Sequence, residues 1–166
     1  KTLTVNGGIG ISAGGGADTG VVGGGTLVIP VGVAATISGN SDNDVYFDNV
    51  TVNNAGLFNL NQPNVNYVTV LNNGAVLNNL ATGELRFTGT DNLLVTTAGA
   101  GTLNNAGLVK SGGQDINVTV TTANYNAGSV IDAGARTAYL YAGNNNYNGT
   151  LTLTGDVRAY SGTHTW

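Results

Sequence analysis

One phrase recurs along the chain and limits what it can fold into: an apolar or aromatic residue, one or two asparagines, a small residue or glycine, then an aliphatic pair. It reads Val52-Asn-Asn-Ala-Gly-Leu-Phe58, Leu71-Asn-Asn-Gly-Ala-Val-Leu77 and Leu103-Asn-Asn-Ala-Gly-Leu-Val109, with looser copies at Tyr125-Asn-Ala-Gly-Ser-Val-Ile131 and Tyr147-Asn-Gly-Thr-Leu-Thr-Leu153. Gly56, Gly74, Gly107, Gly128 and Gly149 of these copies stand roughly 18, 33, 21 and 21 residues apart, and Gly83-Glu-Leu-Arg-Phe87 is the candidate copy inside the long gap. A period of about 20 residues with this composition is too short for a helical hairpin but holds one turn of a β-solenoid, two or three short strands joined by tight corners.

Corner chemistry agrees, because Asn and Gly tolerate positive φ and each copy places them before a run of strand formers. Repetition at coil spacing favours parallel stacking of successive turns over hairpins. Asparagines at equivalent corners then bond to those above and below, and Asn54, Asn73, Asn105, Asn126 and Asn148 are the expected ladder.

Composition closes off the alternatives. Glu84 is the only glutamate and Lys1 and Lys110 the only lysines, so no stretch lays a polar helical face against an apolar one. Val, Thr, Leu, Ile and Tyr alternate instead in Val50–Val52, Tyr67–Val70, Leu85–Phe87, Leu93–Val95, Ile116–Val120, Ala138–Tyr141 and Leu151–Leu153. The expected class is all-β, a parallel β-helix of roughly eight coils, near 40 Å long at about 4.8 Å per coil. A hydrophobic share of 41% with only 8% charged residues argues against disorder. Nucleic acid is excluded as a partner by a net charge of −4 and five scattered Lys and Arg. The apolar run from Gly20 to Ala35, broken by Gly and Pro, is too short to span a membrane, so no membrane insertion is expected.

Residues 1–25 differ from the rest. From Gly7 to Gly25 the chain is nearly all Gly, Ala, Ser and Val without an Asn corner, and reads either as a Gly-rich arm or as an irregular first coil. Residues 26–166 are then the solenoid body, with Thr26–Ser38 as its first regular coil, bent at Pro30 and Gly32. No Met precedes Lys1, which runs straight into an apparent strand; removal of a signal segment, hence export, or trimming of a longer protein is the expected origin.

Chemistry-bearing residues are sparse: one His, no Cys and nine dispersed carboxylates, so the chain is not expected to be an enzyme. Asp42, Asp44 and Asp48 form the only local acidic cluster, a weak Ca²⁺ candidate or a polar loop; no other cofactor is expected. Asp115, Asp132 and Asp156 recur loosely and are read as corner solvation, and terminal His164 receives no role. Asn49-Val-Thr51, Asn117-Val-Thr119 and Asn148-Gly-Thr150 match the glycosylation sequon, which matters only in an organism that glycosylates exported proteins. Thr-x-Thr triplets at Thr2–Thr4, Thr119–Thr121 and Thr150–Thr154 are of the kind that line ice-binding solenoid faces; they do not recur coil after coil in the sequence, which favours ordinary outward strand positions. The tyrosines suit either a sugar-binding strip or core-capping corners.

The Asn-Asn-Ala-Gly-Leu phrase, with its copies from Val52 to Leu153, resembles the coil repeats of bacterial right-handed β-helical passengers, as in autotransporter adhesins and filamentous-haemagglutinin-like proteins. The resemblance covers about 60% of the chain. It implies a right-handed coil and an extracellular or cell-surface location, and is nearly silent on function, because such repeats occur in adhesins, enzymes and stalks alike. The chain departs from that family in being far shorter and in showing no membrane barrel.

Function is then expected to lie at the solenoid ends. Strand-like ends at Lys1, Thr2, Leu3, Thr4, Val5 and at Tyr160 and Trp166, without the charges that would discourage pairing, invite head-to-tail self-assembly into an extracellular fibre. An adhesive or stalk segment of a larger surface protein, with host or cell-surface glycans as partners, and a carbohydrate-active β-helix are the alternatives.

Overall fold

A computed structural model describes residues 1–14, 17–39, 43–61, 68–90, 93–160 and 162–166. In chain order the strands are β1 (Thr2–Thr4), β2 (Ile9–Ala13), β3 (Thr19–Ile29), β4 (Ala34–Gly39), β5 (Val45–Asn54), β6 (Leu57–Asn61), β7 (Val68–Asn72), β8 (Ala75–Asn79) and β9 (Glu84–Phe87). They continue as β10 (Leu93–Val95), β11 (Gly101–Asn105), β12 (Leu108–Ser111), β13 (Ile116–Thr119), β14 (Thr122–Asn126), β15 (Val130–Leu140), β16 (Asn144–Asn148), β17 (Thr152–Ala159) and β18 (Thr163–Thr165). Every pairing between named strands is parallel, and no helix occurs among the described residues. The chain is a parallel β-solenoid.

Three faces emerge from the register. On the first, β1 pairs with the second half of β3, and the column continues through the second half of β5, then β8, β11, β14, β16 and β18. The second runs β2, β4, β6, β9, β12, then the first halves of β15 and β17. The third stacks the first halves of β3 and β5 on β7, β10, β13 and the second halves of β15 and β17. Loops absorb the rest of each turn.

The coil is not uniform. Thr2 pairs with Thr26, Thr26 with Thr51, Thr51 with Val76 and Val76 with Thr102, steps of 24 to 26 residues. Thr102 then pairs with Thr122, Thr122 with Asn144 and Asn144 with Thr163, steps of 19 to 22. The expected 20-residue coil holds only for this second part, so eight turns are too many. Most of the extra length lies between the third and first faces: Thr69 to Val76 and Leu94 to Thr102 span 7 and 8 residues, whereas Val118 to Thr122 and Leu140 to Asn144 span 4. Within residues 1–25, β1, β2 and the first half of β3 each join one of the three faces.

Alternation drives the burial. In β5 and β8 inward residues Val45, Phe47, Val50, Val52, Ala75 and Leu77 are buried while their neighbours face out. Phe47 packs edge-to-face on Phe58, with ring centroids 5.9 Å apart. Each of the valine, leucine and phenylalanine side chains contributes roughly 1.5–3 kcal/mol by leaving water.

The repeat glycines serve two purposes. Gly56, Gly83 and Gly107 occupy one corner, between the first and second faces, just before the register partners Leu57, Glu84 and Leu108. Their φ is ordinary; what demands glycine is close approach, since a Cβ on Gly107 would collide with the carbonyl oxygens of Gly83 and Leu80. Gly74 and its neighbour Asn73 have positive φ, 88° and 52°, and lie instead at the corner between the third and first faces. The Leu71–Leu77 phrase is thus a copy in sequence but not in position. The true equivalent is Leu77-Asn-Asn79, followed by a longer turn to Gly83.

Candidate functional site

The interior of the first face carries one column of side chains, one per coil. Ile29, Asn54, Asn79, Asn105, Tyr125 and Tyr147 are register partners in succession. At one end Val5 follows on from Thr4, the partner of Val28; at the other, Trp166 follows Thr165, the partner of Asn146.

Its middle is an amide ladder. Asn54 Nδ2 donates to Asn79 Oδ1 at 2.8 Å and Asn79 Nδ2 to Asn105 Oδ1 at 2.7 Å. The same amides also reach backbone carbonyls, Asn54 that of Glu84 and Asn79 that of Leu108 in the next coil, and Asn105 that of Gly107 at its own corner. These bonds fasten the buried column to the backbone beside the corner. Asn54 and Asn105 of the expected ladder are in it, joined through Asn79, which the sequence reading passed over because its phrase was aligned to Leu71–Leu77.

The other expected members lie elsewhere. Asn73 sits in the glycine turn and donates to Asp48 at 2.6 Å. Asn126 and Asn148 bond to each other at 3.3 Å on the exposed side of the same strands. A second ladder, not foreseen, runs along the outside of the first face: Asn78 donates to Asn53, Asn104 to Asn78, Asn124 to Asn104 and Asn146 to Asn124, at 2.6 to 2.8 Å.

Above Asn105 the column turns aromatic. Tyr125 and Tyr147 stack with centroids 5.5 Å apart, and Trp166 lies on Tyr147 at 4.2 Å. His164 also stacks on Tyr147, at 6.1 Å, and so belongs to this end of the core. Tyr125 is buried with its hydroxyl unpartnered, and burial, then the neighbouring Tyr147, pushes its phenol pKa strongly up. Burial raises Tyr147 too. Trp166 is 88% exposed, so the stack ends in an open ring face.

Both end coils show apolar interior. At the first coil a cavity of about 560 Å³ is lined by Leu3, Ile9, Ile11, Val21 and Leu27 among others; at the last, one of about 440 Å³ by Leu140, Tyr147, Leu151, Leu153 and Trp166 among others. Of the expected assembly residues, Lys1, Thr2 and Leu3 line the first cavity and Trp166 the second. Val5 is buried below the rim, while Thr4 faces out. Tyr160 is on the outside of the third face, where it stacks on Tyr141 at 5.1 Å beside Tyr139. Arg158 covers the Tyr139 ring and pairs with Asp156, whose carboxyl it holds below the usual range.

The acidic residues act on the backbone. Asp18 accepts the N–H of Asp44 at 2.9 Å, Asp44 that of Val68 at 3.0 Å, and Asp115 that of Thr137 at 2.9 Å, each tying one coil to the next at the entry to the third face. The other Asp44 oxygen accepts from Tyr46, whose phenol is raised by burial and then by that carboxylate. Asp48 is held by Asn73 at the opposite corner of the face. Asp44 and Asp48 thus serve opposite corners of the face; Asp42 and Tyr67 lie outside the described residues. No group of three His, Cys, Asp or Glu suited to a metal occurs among the described residues. No protein-family model, curated protein or solved structure matches the chain.

Proposed function

We propose that the chain is a structural subunit of an extracellular or cell-surface fibre, extended by stacking the last coil of one copy on the first coil of the next. The observation that carries this reading is the pair of apolar end cavities, each rimmed by strands with a neighbour on one side only: β1 and β2 at one end, β17 and β18 at the other. An unpaired parallel edge over an open apolar core is a template for another strand. The two ends differ from each other, so their contact is heterologous and propagates. The coil is taken as right-handed, as the resemblance to β-helical passengers implies.

Electron microscopy and light scattering of the purified 166-residue chain test it. Concentration-dependent filaments are expected, lost in Trp166→Asp and in Leu3→Asp with the fold intact by circular dichroism. Dispersed monomers at high concentration overturn it.

A second reading, an adhesive segment that takes surface glycans, is favoured by the exterior Tyr139, Tyr141 and Tyr160 rings with Arg158. Glycan binding lost in Tyr160→Ala, by a chain that stays monomeric, selects it over the first.

A further inference from the structure

The outside of the first face is a lattice. Its strands present two outward ranks in register. One consists of Thr2, Thr26, Thr51, Val76, Thr102, Thr122, Asn144 and Thr163; the other of Thr4, Val28, Asn53, Asn78, Asn104, Asn124, Asn146 and Thr165. Thr-x-Asn or Thr-x-Thr stands on most of these rungs, the exceptions being Thr26-x-Val28, Val76-x-Asn78 and Asn144-x-Asn146, and this alignment is hidden in the sequence by steps that vary from 19 to 26 residues. The first-face segments of these strands contain no Asp, Glu, Lys or Arg, whereas Glu84, Arg86, Lys110 and Asp132 stand on the second face and Asp48, Asp156 and Arg158 on the third.

We infer that this face binds ice, through two ranks of threonine and asparagine side chains that match an ordered lattice of water. Rank members repeat about every 4.8 Å along the solenoid, and the two ranks are about 6.7 Å apart along the strand. Tetrahedral water with O···O near 2.75 Å repeats its next-nearest oxygens at about 4.5 Å and its puckered layers at about 7.3 Å. Each spacing agrees to within about a tenth, close enough for water molecules held on neighbouring rungs to lie near ice positions.

Rigidity supports the match. Each middle amide of the outer ladder spends one N–H and one oxygen lone pair on its neighbours, leaving one of each for water at a fixed angle. Threonine adds a hydroxyl beside a methyl, and its β-branched side chain holds a restricted χ1. Charges would orient water radially around themselves, and this face has none. The outward ranks hold no aromatic ring, which sets the face apart from the tyrosine cluster on the third. The inference does not depend on end-to-end stacking.

The test is adsorption of the fluorescently labelled chain to a growing single ice crystal, together with crystal shaping and the gap between freezing and melting. The chain is expected to coat specific planes and to shape crystals. The double variant Thr51→Lys with Thr102→Lys is expected to lose adsorption by at least about tenfold, because two charges must be desolvated at the lattice. Lys110→Thr on the second face should leave it unchanged. Val76→Thr, which leaves Asn144 as the one member of this rank that is not threonine, should increase the gap. Circular dichroism and melting temperature establish that each variant is folded. Unshaped crystals with the parent chain, or full activity in the double lysine variant, overturn the inference. So does adsorption through this face to crystalline polysaccharide but not to ice, which would make sugar the ligand.

Discussion

Asn79 donates its side-chain amide to Asn105 at 2.7 Å across one rung, and at the next rung the same interior column changes from amides to the stacked rings of Tyr125 and Tyr147. A single line of side chains thus holds the middle of the solenoid by hydrogen bonds and its last coils by aromatic contact. The two modes respond differently to substitution and to pH.

Asn79 is the centre of the buried ladder, with one neighbour donating to it and two acceptors served by its amide. Asn79→Ala leaves the Leu108 carbonyl and the Asn105 oxygen without this donor, and should cost about 2–4 kcal/mol in urea unfolding. Asn124→Ala in the outer ladder, where water replaces the lost partners, should cost less than about 1 kcal/mol in the same assay.

Gly107 has no room for a side chain, because the colliding atoms are the backbone carbonyls of Gly83 and Leu80 in the preceding coil. Gly107→Ala must push two coils apart and should lower stability by roughly 2–4 kcal/mol. Gly32, at φ 76° with open space around it, should lose only about 1 kcal/mol as alanine. Thermal melts of the two variants give the comparison, and equal losses would refute the close-approach reading of the repeat glycine.

Tyr125 buries a hydroxyl without a partner. Removing it keeps the ring stack on Tyr147 and ends the desolvation cost of an unmade hydrogen bond. Tyr125→Phe should therefore match or exceed the parent in urea midpoint at neutral pH. A loss of more than about 1 kcal/mol would show that the hydroxyl is bonded in solution.

Alkaline pH should open the last coils. Burial raises the folded-state pKa of Tyr125 and Tyr147 above the ordinary value of 10.0 that the unfolded chain shows. The unfolded state then releases protons first, so stability is level below about pH 10 and falls as pH rises beyond it toward the folded values. Urea midpoints measured from pH 8 to 11 should show this decline. The double variant Tyr125→Phe with Tyr147→Phe should flatten it, leaving the contribution of Tyr46, whose phenol is also raised.

Much of the architecture was legible in the residues, and the limits have a common cause. Alternation in Val50–Val52 and Ile116–Val120 marked strands because side-chain direction in a strand depends on nearest neighbours alone. Asn54 and Asn105 were recognisable as ladder members because the phrase around them keeps its corner. Asn79 was missed because two extra residues before Gly83 break the phrase, while Leu71–Leu77 imitates it at another corner. The threonine and asparagine ranks were missed for the same reason: variable loops put equivalent residues at unequal distances along the chain.

The amino-acid order by itself determined that the chain winds as parallel β coils, since period-two burial, Asn and Gly corners and too few helix formers leave no other way to bury its aliphatic residues. Only the tertiary structure decided which residues stand above one another. Register is set by how each loop closes and by which backbone carbonyls a corner leaves to be satisfied, and both are long-range conditions that no local pattern carries. From that register come the amide column, the aromatic end and the uncharged outer lattice.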